Sequence, residues 1–258
     1  MSSVRRAAVL LLALLPAVAL AQPARSTSVG LLPDIRTVVP KQLQIVDAHQ
    51  REFLRFSNGI ANTGAGHWRM RPEVVGSGQS ATQNAVQEIL DVDGNVVEEH
   101  LVSRYEFHVE HDHWHIDRVA LFEIRSGTPT GPIVAGNSIK VTFCLIDWYK
   151  LDDNPAFPER SYFHCGAERQ GISPGWVDQY HQATDGQELD ITGIPAGDYF
   201  LVSTSNPDGN FVEVDTTNNT AWTGFRLDRP NKGNARLTVT GHSACGSPGL
   251  CGQQKTNR

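Results

Sequence analysis

The sequence has no stretch of a dozen or more residues that holds an amphipathic helical period, the pattern expected of a mainly helical domain. From Gln42 onward it has short alternating segments that are broken by Gly, Pro, Asn and Asp, and Asp93-Gly94 is a typical hairpin signal. A period of two places successive side chains on opposite faces of a strand. We therefore predict a mostly β fold, an antiparallel β-sandwich-like domain with long loops and few short helices.

The sequence also lacks an excess of positive charge. It has 22 Lys and Arg residues against 28 Asp and Glu residues, which gives a formal net charge of -6. This balance argues against nucleic acid or an anionic membrane as the partner, and it is compatible with a cationic partner. Solubility alone would account for the same charge.

Long apolar runs are absent after the N-terminal region, so no later segment is predicted to span a membrane. The N-terminal run is itself shorter than the ~18 to 20 residues that a spanning helix needs. It follows Arg5 and Arg6 and ends at Ala19-Leu20-Ala21, which forms an A-x-A cleavage signal. We predict a cleavable signal peptide at residues 1–21 and a secreted, periplasmic or extracellular location.

Composition divides the rest of the chain into three parts. Residues 22–37 are polar and contain proline, which is typical of a linker. Residues 38–230 hold the alternating segments and form the predicted domain, and residues 231–258 are a basic, Gly- and Ser-rich C-terminal tail. Within the domain, residues 145–185 have weak periodicity and are too long for a simple turn, so this region is predicted to be either functional or disordered.

Cysteine is scarce, because the chain has only four, and all of them follow the predicted cleavage point. Oxidation is permitted outside the cytoplasm, and an even count predicts two disulfide bonds. Among the possible pairings, Cys144–Cys165 with Cys245–Cys251 is the most local. Neither pair has the spacing of a metal clip, which disfavours a zinc knuckle.

Histidine is concentrated in one short stretch, EFHVEHDHWHID at residues 106–117. Aromatic and β-branched residues alternate around it with a period of two, which favours a strand. On a strand His111, His113 and His115 share one face and His108 points away, whereas a helix would gather His108, His111 and His115. We adopt the strand, with His111, His113 and His115 as the predicted ligand set.

Three imidazoles so close together on one face predict a metal site, while a solvent-facing polar strand is the simpler alternative. A straight strand would spread the first and last histidine over about 13 Å, so three-point ligation requires a bulge or a marked bend. Neutral imidazoles that leave coordination positions open suit Cu(II), although Zn(II) would also bind. The nearby carboxylates that could support the ligands are Glu106, Glu110, Asp112 and Asp117.

Several segments, in one order, resemble the catalytic domain of the lysyl oxidase family of secreted copper amine oxidases. YEFHVEHDHWH at residues 105–115 is similar to the copper segment of that family. KVTFCL at residues 140–145 resembles its Lys-x-x-Phe-Cys-Leu segment, and QGISPGWVDQY at residues 170–180 resembles its Gln-Gly-Leu-Ser-Pro-Gly-x-x-Asp-x-Tyr segment. LDITGIPAGDYFLVSTSNP and VEVDTTNNTAW follow. A weaker likeness upstream, at REFLRFSNGIANTG, extends the resemblance to about residues 45–228.

The resemblance implies both a ligand set and a cofactor. It implies that His111, His113 and His115 bind copper, and that Lys140 and Tyr180 are the precursors of lysine tyrosylquinone, the built-in cofactor of the family. Without the resemblance, Lys140 would be interpreted as a strand-edge lysine and Tyr180 as a loop aromatic. Their presence beside three histidines favours an enzyme, because a binding module has no chemical need for that combination.

The implied activity is that of a copper-dependent oxidoreductase that acts on the CH-NH2 group of donors with oxygen as acceptor. It would convert peptidyl lysine or other primary amines to aldehydes and release ammonia and hydrogen peroxide. The implied partners are a cationic primary amine or a lysine-bearing protein, and oxygen, with no nucleic acid and no membrane span. The alternative is a non-catalytic extracellular metal-binding β-sandwich that serves as an interaction module.

The chain also departs from the family pattern. Glu110 stands where animal members carry a cysteine, and several other family cysteines are missing, so Cys144 and Cys165 would both lose their usual partners. This favours a Cys144–Cys165 bond, which would tether the segment after Lys140 to the loop that leads to Tyr180. The general base is not assigned. Its candidates are Asp117 and Asp178, for which capping or surface roles are the alternative.

Overall fold

The computed structural model describes residues 29–76, 82–109, 112–136 and 142–252. The predicted signal peptide at residues 1–21 lies outside these ranges. The regular structure within them consists of sixteen strands and one short 3₁₀ helix, Pro248–Cys251. The strands are β1 (Ile35–Thr37), β2 (Lys41–Ala48), β3 (Arg51–Asn62), β4 (Trp68–Val75), β5 (Thr82–Leu90), β6 (Val96–His108), β7 (His113–Ile116), β8 (Ala120–Ser126), β9 (Ile133–Gly136), β10 (Tyr149–Lys150), β11 (Gln170–Ile172), β12 (Trp176–Tyr180), β13 (Glu188–Asp190), β14 (Gly197–Ser205), β15 (Thr220–Asp228) and β16 (Arg236–His242). The prediction of a mostly β fold is confirmed.

The strands form three antiparallel sheets. The first has the order β1-β3-β12-β10, and β2 and β13 also pair with β3. The second has the order β11-β4-β5-β6-β7, and the third has the order β16-β15-β14-β8-β9. The long central strand of the first sheet, β3, therefore carries β12, on which Tyr180 lies opposite Asn58.

All three sheets contribute side chains to one main hydrophobic core. Phe56 of the first sheet, Trp68 of the second and Phe122 of the third are each fully buried. Phe56 and Phe122 meet edge to face, with their ring centroids 4.9 Å apart. Burying a side chain of this size stabilises a fold by roughly 1.5–3 kcal/mol relative to exposing it, so the shared core holds the sheets in place.

The predicted hairpin at Asp93-Gly94 is present between β5 and β6. Gly94 has φ of 82°, a left-handed conformation that glycine adopts without a steric penalty. The carboxylate of Asp91 accepts hydrogen bonds from the amides of Asp93 (3.0 Å) and Asn95 (2.8 Å), which closes the turn. Local turn chemistry therefore determines where this pair of strands reverses.

Two disulfide bonds are present, Cys144–Cys165 and Cys245–Cys251, so the most local pairing is confirmed. The second bond closes a small loop near the end of the described chain, where the Val39 amide donates to the Leu250 carbonyl (3.0 Å). β16 pairs with β15 although it lies within the predicted C-terminal tail, 231–258. At the other end, β1 lies within the predicted linker, 22–37.

The irregular region at residues 145–185 contains three short strands, β10, β11 and β12, which join two different sheets. Asp147, fully buried, orders part of it by accepting hydrogen bonds from the amides of Ser161, Tyr162 and Ser173. No helix in the described part of the chain is long and apolar enough to cross a membrane.

Candidate active site

The histidine-rich stretch folds as a hairpin rather than as one strand. β6 ends at His108, the chain reverses, and β7 begins at His113. Asp112 has φ of 52°, a left-handed conformation that Asp tolerates in turns. Glu110 and His111 lie outside the described residues, so the structure does not test His111 as a ligand. The prediction of one strand through the histidines is therefore wrong, because the chain reverses between β6 and β7.

This hairpin brings His108 to the same face as His113 and His115. In the register of β6 and β7, His108 is opposite His113 and Glu106 is opposite His115. Directly opposite residues in an antiparallel pair project to the same side. The ring centroids of His108 and His115 are 4.2 Å apart, and those of His113 and His115 are 4.7 Å apart. The prediction that His108 points away is wrong, because counting alternate residues fails across a turn.

Two imidazole nitrogens converge at the centre of this group. Nε2 of His113 lies 2.8 Å from Nε2 of His115, whose side chain is almost fully buried. Two nitrogens that each lie about 2.0 Å from one ion at a right angle are about 2.8 Å apart. The pair therefore fits two adjacent ligands of one metal ion. Among the described residues, no group of three His, Cys, Asp or Glu side chains could hold a metal ion.

The segment of residues 142–145, called segment 142–145 below, lies along the free edge of β7. Phe143 exchanges two backbone hydrogen bonds with Ile116, of 2.7 and 3.0 Å. Beside this bridge, Oγ1 of the buried Thr142 is 3.1 Å from Nδ1 of His115 and 3.3 Å from Nε2 of His108. Segment 142–145 therefore contacts the histidine group through both its backbone and a side-chain hydroxyl.

Tyr180 contacts the same segment from another side. It is 4% exposed, and its hydroxyl donates a hydrogen bond of 2.7 Å to the carbonyl of Cys144. Its ring packs edge to face on Phe143, with centroids 4.7 Å apart. Tyr180 lies on strand β12 rather than in a loop. The structure thus brings Tyr180 and one of the predicted histidine ligands, His115, to one short segment.

The Cys144–Cys165 disulfide joins the two halves of this arrangement. The Cys144 carbonyl accepts from Tyr180, and the Cys165 carbonyl accepts a hydrogen bond of 2.9 Å from the amide of Trp114, between the two histidines of β7. The Trp114 carbonyl in turn accepts from the side-chain amide of Gln170 (2.9 Å). β7 is therefore fixed along its outer edge by the disulfide-bonded loop.

The opposite face of the hairpin is aromatic. Phe107 and Trp114 are directly opposite each other, and their ring centroids are 5.4 Å apart in an edge-to-face arrangement. Tyr105 is buried beneath them, and its hydroxyl donates to the carbonyl of Met70 (3.1 Å). Burial raises the pKa of the Tyr105 hydroxyl well above its ordinary value, so this phenol stays neutral.

The remaining predicted residues take different positions. Lys140 lies outside the described residues, two positions before Thr142 in the sequence. Asp117 is partly buried and accepts a hydrogen bond of 2.8 Å from the amide of Arg118, which is a local capping contact. Asp178 is fully buried on β12, two residues before Tyr180. These positions do not decide whether Asp117 or Asp178 is the general base.

Comparison with known proteins identifies the family. A family model described as Lysyl oxidase matches residues 88–232, which is more than half of the chain. The chain belongs to the lysyl oxidase family. The matched residues of this lysyl oxidase family member include the histidine hairpin, segment 142–145 and Tyr180, whereas β1 to β4 precede the match.

Individual relatives are similar over a shorter part of the chain. Protein-lysine 6-oxidase of Sus scrofa is 31% identical over 116 residues, which are 45% of this chain and 44% of that protein. Protein-lysine 6-oxidase of Homo sapiens is 32% identical, with 45% and 26% covered. Lysyl oxidase homolog 1 of Homo sapiens is 31% identical, with 45% and 19% covered. The matched part of this lysyl oxidase family member is thus less than half of the length of each of these relatives.

Sequence reasoning missed two contacts in this lysyl oxidase family member. The alternation pattern predicts the wrong face for His108, and no sequence pattern indicates that Thr142 contacts the histidines. The available signal for Thr142 was its position, since it is a hydroxyl residue within the otherwise apolar stretch between Lys140 and Cys144. That signal identifies a polar group that needs a partner when buried, but it does not identify the partner.

Proposed function

We propose that this chain is a copper-dependent amine oxidase that converts peptidyl lysine or other primary amines to aldehydes, with release of ammonia and hydrogen peroxide. One observation carries the proposal. Segment 142–145 follows Lys140 in the sequence. It contacts His108 and His115 through the Thr142 hydroxyl, and it contacts Tyr180 through the Cys144 carbonyl. The contacts of His115 and Tyr180 with this one segment support the proposal that the copper ligands and the cofactor precursors form a single site.

His111, His113 and His115 are the proposed copper ligands. The 2.8 Å approach of the Nε2 atoms of His113 and His115 supports this assignment, because neutral imidazoles that present Nε2 to one point suit Cu(II). Lys140 and Tyr180 are the proposed precursors of lysine tyrosylquinone. Together the two groups would supply redox chemistry with oxygen and an electrophilic carbonyl for the substrate amine.

The chain itself contributes orientation and exclusion of water. Tyr180 is almost fully buried, and its hydroxyl is directed by the Cys144 carbonyl, so the phenol has one defined orientation. Phe143 covers the ring edge to face. Lys140 is two residues from Thr142, and two residues of chain separate Cα atoms by at most about 7 Å. We propose that Lys140 joins the Tyr180 ring from this adjoining part of the sequence.

The proposed substrates follow from charge. The net charge of -6 would favour the approach of a lysine-bearing protein or another cationic primary amine, with oxygen as the second substrate. We also propose that residues 1–21 direct export and that the enzyme acts in a secreted, periplasmic or extracellular location. The disulfide bonding of all four cysteines supports an oxidising compartment.

The cofactor proposal is tested by peptide mass analysis of aerated, copper-loaded protein. We expect the peptides that contain Lys140 and Tyr180 to be joined, with the mass of an oxidised ring. Tyr180→Phe should abolish the joined peptide and the release of peroxide from amines. Tyr199→Phe is the matched control, because Tyr199 is also a buried tyrosine whose hydroxyl donates to a backbone carbonyl, that of Pro195 (2.9 Å).

A second variant separates catalysis from metal binding. Lys140→Ala should abolish peroxide release while copper binding is kept. Lys150→Ala is its control, because Lys150, on β10, forms an ion pair with Glu159 and is not a proposed cofactor residue. Unmodified Lys140 and Tyr180 peptides in fully metallated protein would overturn the cofactor proposal. Copper binding together with amine turnover that is unaffected by both site variants would contradict the assigned roles. Copper binding without any turnover would favour the interaction module.

A further inference from the structure

Thr142 touches two histidines through one hydroxyl oxygen. Its Oγ1 lies 3.1 Å from Nδ1 of His115 and 3.3 Å from Nε2 of His108. Thr142 is 8% exposed and His115 is 1% exposed, so water does not readily replace the contact between them. A buried polar group without a partner costs about 1–3 kcal/mol, and the positions of the ring protons at this site therefore matter.

The partner of one imidazole nitrogen determines what the other nitrogen presents. A neutral imidazole carries its proton on one nitrogen and a lone pair on the other. Nε2 of His115 faces His113. If this nitrogen binds the metal ion, it must present a lone pair. The proton of His115 must then lie on Nδ1, and the oxygen beside Nδ1 is Oγ1 of Thr142.

The Thr142 hydroxyl can satisfy both rings at once. Its oxygen accepts the Nδ1 proton of His115, and its own proton is then donated to Nε2 of His108. The reverse arrangement, with the hydroxyl donating to Nδ1 of His115, would leave a proton on Nε2 and block metal ligation. The productive arrangement needs Nε2 of His108 to accept the hydroxyl proton, and Oε2 of Glu106, 3.9 Å from that nitrogen, lies beyond hydrogen-bonding distance.

We infer that Thr142 is a positioning residue, which holds His115 as the Nδ1-protonated tautomer and directs its Nε2 lone pair to the copper position. The inference rests on the proposed function, since it assumes that His115 is a ligand. The backbone supports it, because the paired hydrogen bonds between Phe143 and Ile116 fix segment 142–145 against β7. An outer partner of this kind fixes both the tautomer and the ring orientation of a metal-binding histidine.

Copper affinity of the full chain tests the inference. Thr142→Val keeps the shape of the side chain and removes the hydroxyl, and we expect its apparent Kd for Cu(II), measured by competition with a chromophoric chelator, to rise about 10- to 100-fold. Thr142→Ser should restore affinity close to that of the wild type. Thr223→Val is the matched control, because Thr223 is a buried threonine whose hydroxyl donates to the carbonyl of Pro40, between β1 and β2 and away from the histidines. Its affinity should be unchanged.

The tautomer is read directly in metal-free protein by long-range proton–nitrogen NMR above pH 8. Wild-type His115 should be protonated at Nδ1, and Thr142→Val should lose that preference. Protonation of wild-type His115 at Nε2, or unchanged copper affinity in Thr142→Val, would overturn the inference. If the wild type binds no copper, the proposed function fails. The NMR spectrum of His115 in metal-free protein still decides whether Thr142 fixes the tautomer. If Thr142→Val does not fold, the wild-type spectrum and Thr142→Ser decide it.

Discussion

His115 is held at both nitrogens of its ring. Nε2 faces His113, Nδ1 faces Thr142, and the ring lies against that of His108. A buried ring with these contacts cannot rotate without losing at least two of them. At the scale of single residues, the direction of each nitrogen is therefore determined by its neighbours, and the number of histidines in the stretch says little about which of them present a usable lone pair.

Phe143 belongs to the main core and stands between Thr142, which contacts the histidines, and Cys144, whose carbonyl binds Tyr180. It is fully buried and meets both Tyr180 and Phe122 edge to face. We expect Phe143→Ala to lower the free energy of unfolding by about 3–5 kcal/mol, because it removes a large buried side chain and leaves a cavity. Urea unfolding followed by tryptophan fluorescence measures this loss.

Phe163 provides the control at the same scale. It is 50% exposed, and its main aromatic contact is with the guanidinium of Arg160, 4.7 Å from the ring centroid. Phe163→Ala should therefore cost no more than about 1 kcal/mol, the usual strength of an exposed cation–π contact. Equal losses in the two variants would show that Phe143 is not a core residue.

At the scale of elements, the hairpin β6–β7 shows what local pattern can predict. Alternation correctly predicted extended structure around the histidines and a face shared by His113 and His115. It could not predict the reversal between His108 and His113, because no Gly or Pro marks that turn. The turn uses Asp112 in a left-handed conformation, and a single Asp among histidines is too weak a turn signal to predict it.

Glu88 connects three strands of the second sheet and makes their association pH-dependent. Its carboxylate, 2% exposed, accepts hydrogen bonds from Arg69 on β4 and from Arg169 beside β11. Burial alone would raise the pKa of Glu88, but the hydrogen bonds from Arg169 and Arg69 outweigh it, so the pKa is lowered. The resulting stabilisation is present above the pKa of an unfolded glutamate and is lost as the pH falls through the folded value.

Glu88→Gln should lower the free energy of unfolding by about 1–3 kcal/mol at pH 7, because it removes the charge of a buried carboxylate that accepts hydrogen bonds from two arginines. The difference from the wild type should shrink as the pH falls below the ordinary glutamate pKa of about 4.3 and through the lowered value of Glu88, where the wild-type carboxyl also becomes neutral. Denaturant unfolding of both proteins at pH 7 and at acid pH measures this difference. Glu99→Gln is the control, since Glu99 binds Arg71 but is largely exposed, and it should cost under about 1 kcal/mol. A pH-independent loss in Glu88→Gln would contradict this account.

At the scale of the whole molecule, long-range pairing is the part that sequence reasoning could not supply. The strand content, the hairpin at Asp93-Gly94 and the two disulfides were predictable from local composition and cysteine count. The pairing of β12 with β3 was not, because such contacts depend on register between segments more than a hundred residues apart. This pairing is what carries Tyr180 to the segment that contacts the histidines.

The Cys144–Cys165 disulfide connects these distant parts, and its removal should affect more than stability. Its cysteines are 21 residues apart, against 6 for Cys245–Cys251, so chain entropy predicts losses of about 3 and about 2 kcal/mol for the two double serine variants. The carbonyls of Cys144 and Cys165 also hold Tyr180 and Trp114. If the proposed cofactor forms, its yield in peptide mass analysis should fall in the Cys144→Ser, Cys165→Ser variant, because the tyrosine and the histidine strand lose their common anchor. The Cys245→Ser, Cys251→Ser control should keep the wild-type yield, and equal yields in both variants would show that the first disulfide only stabilises the fold.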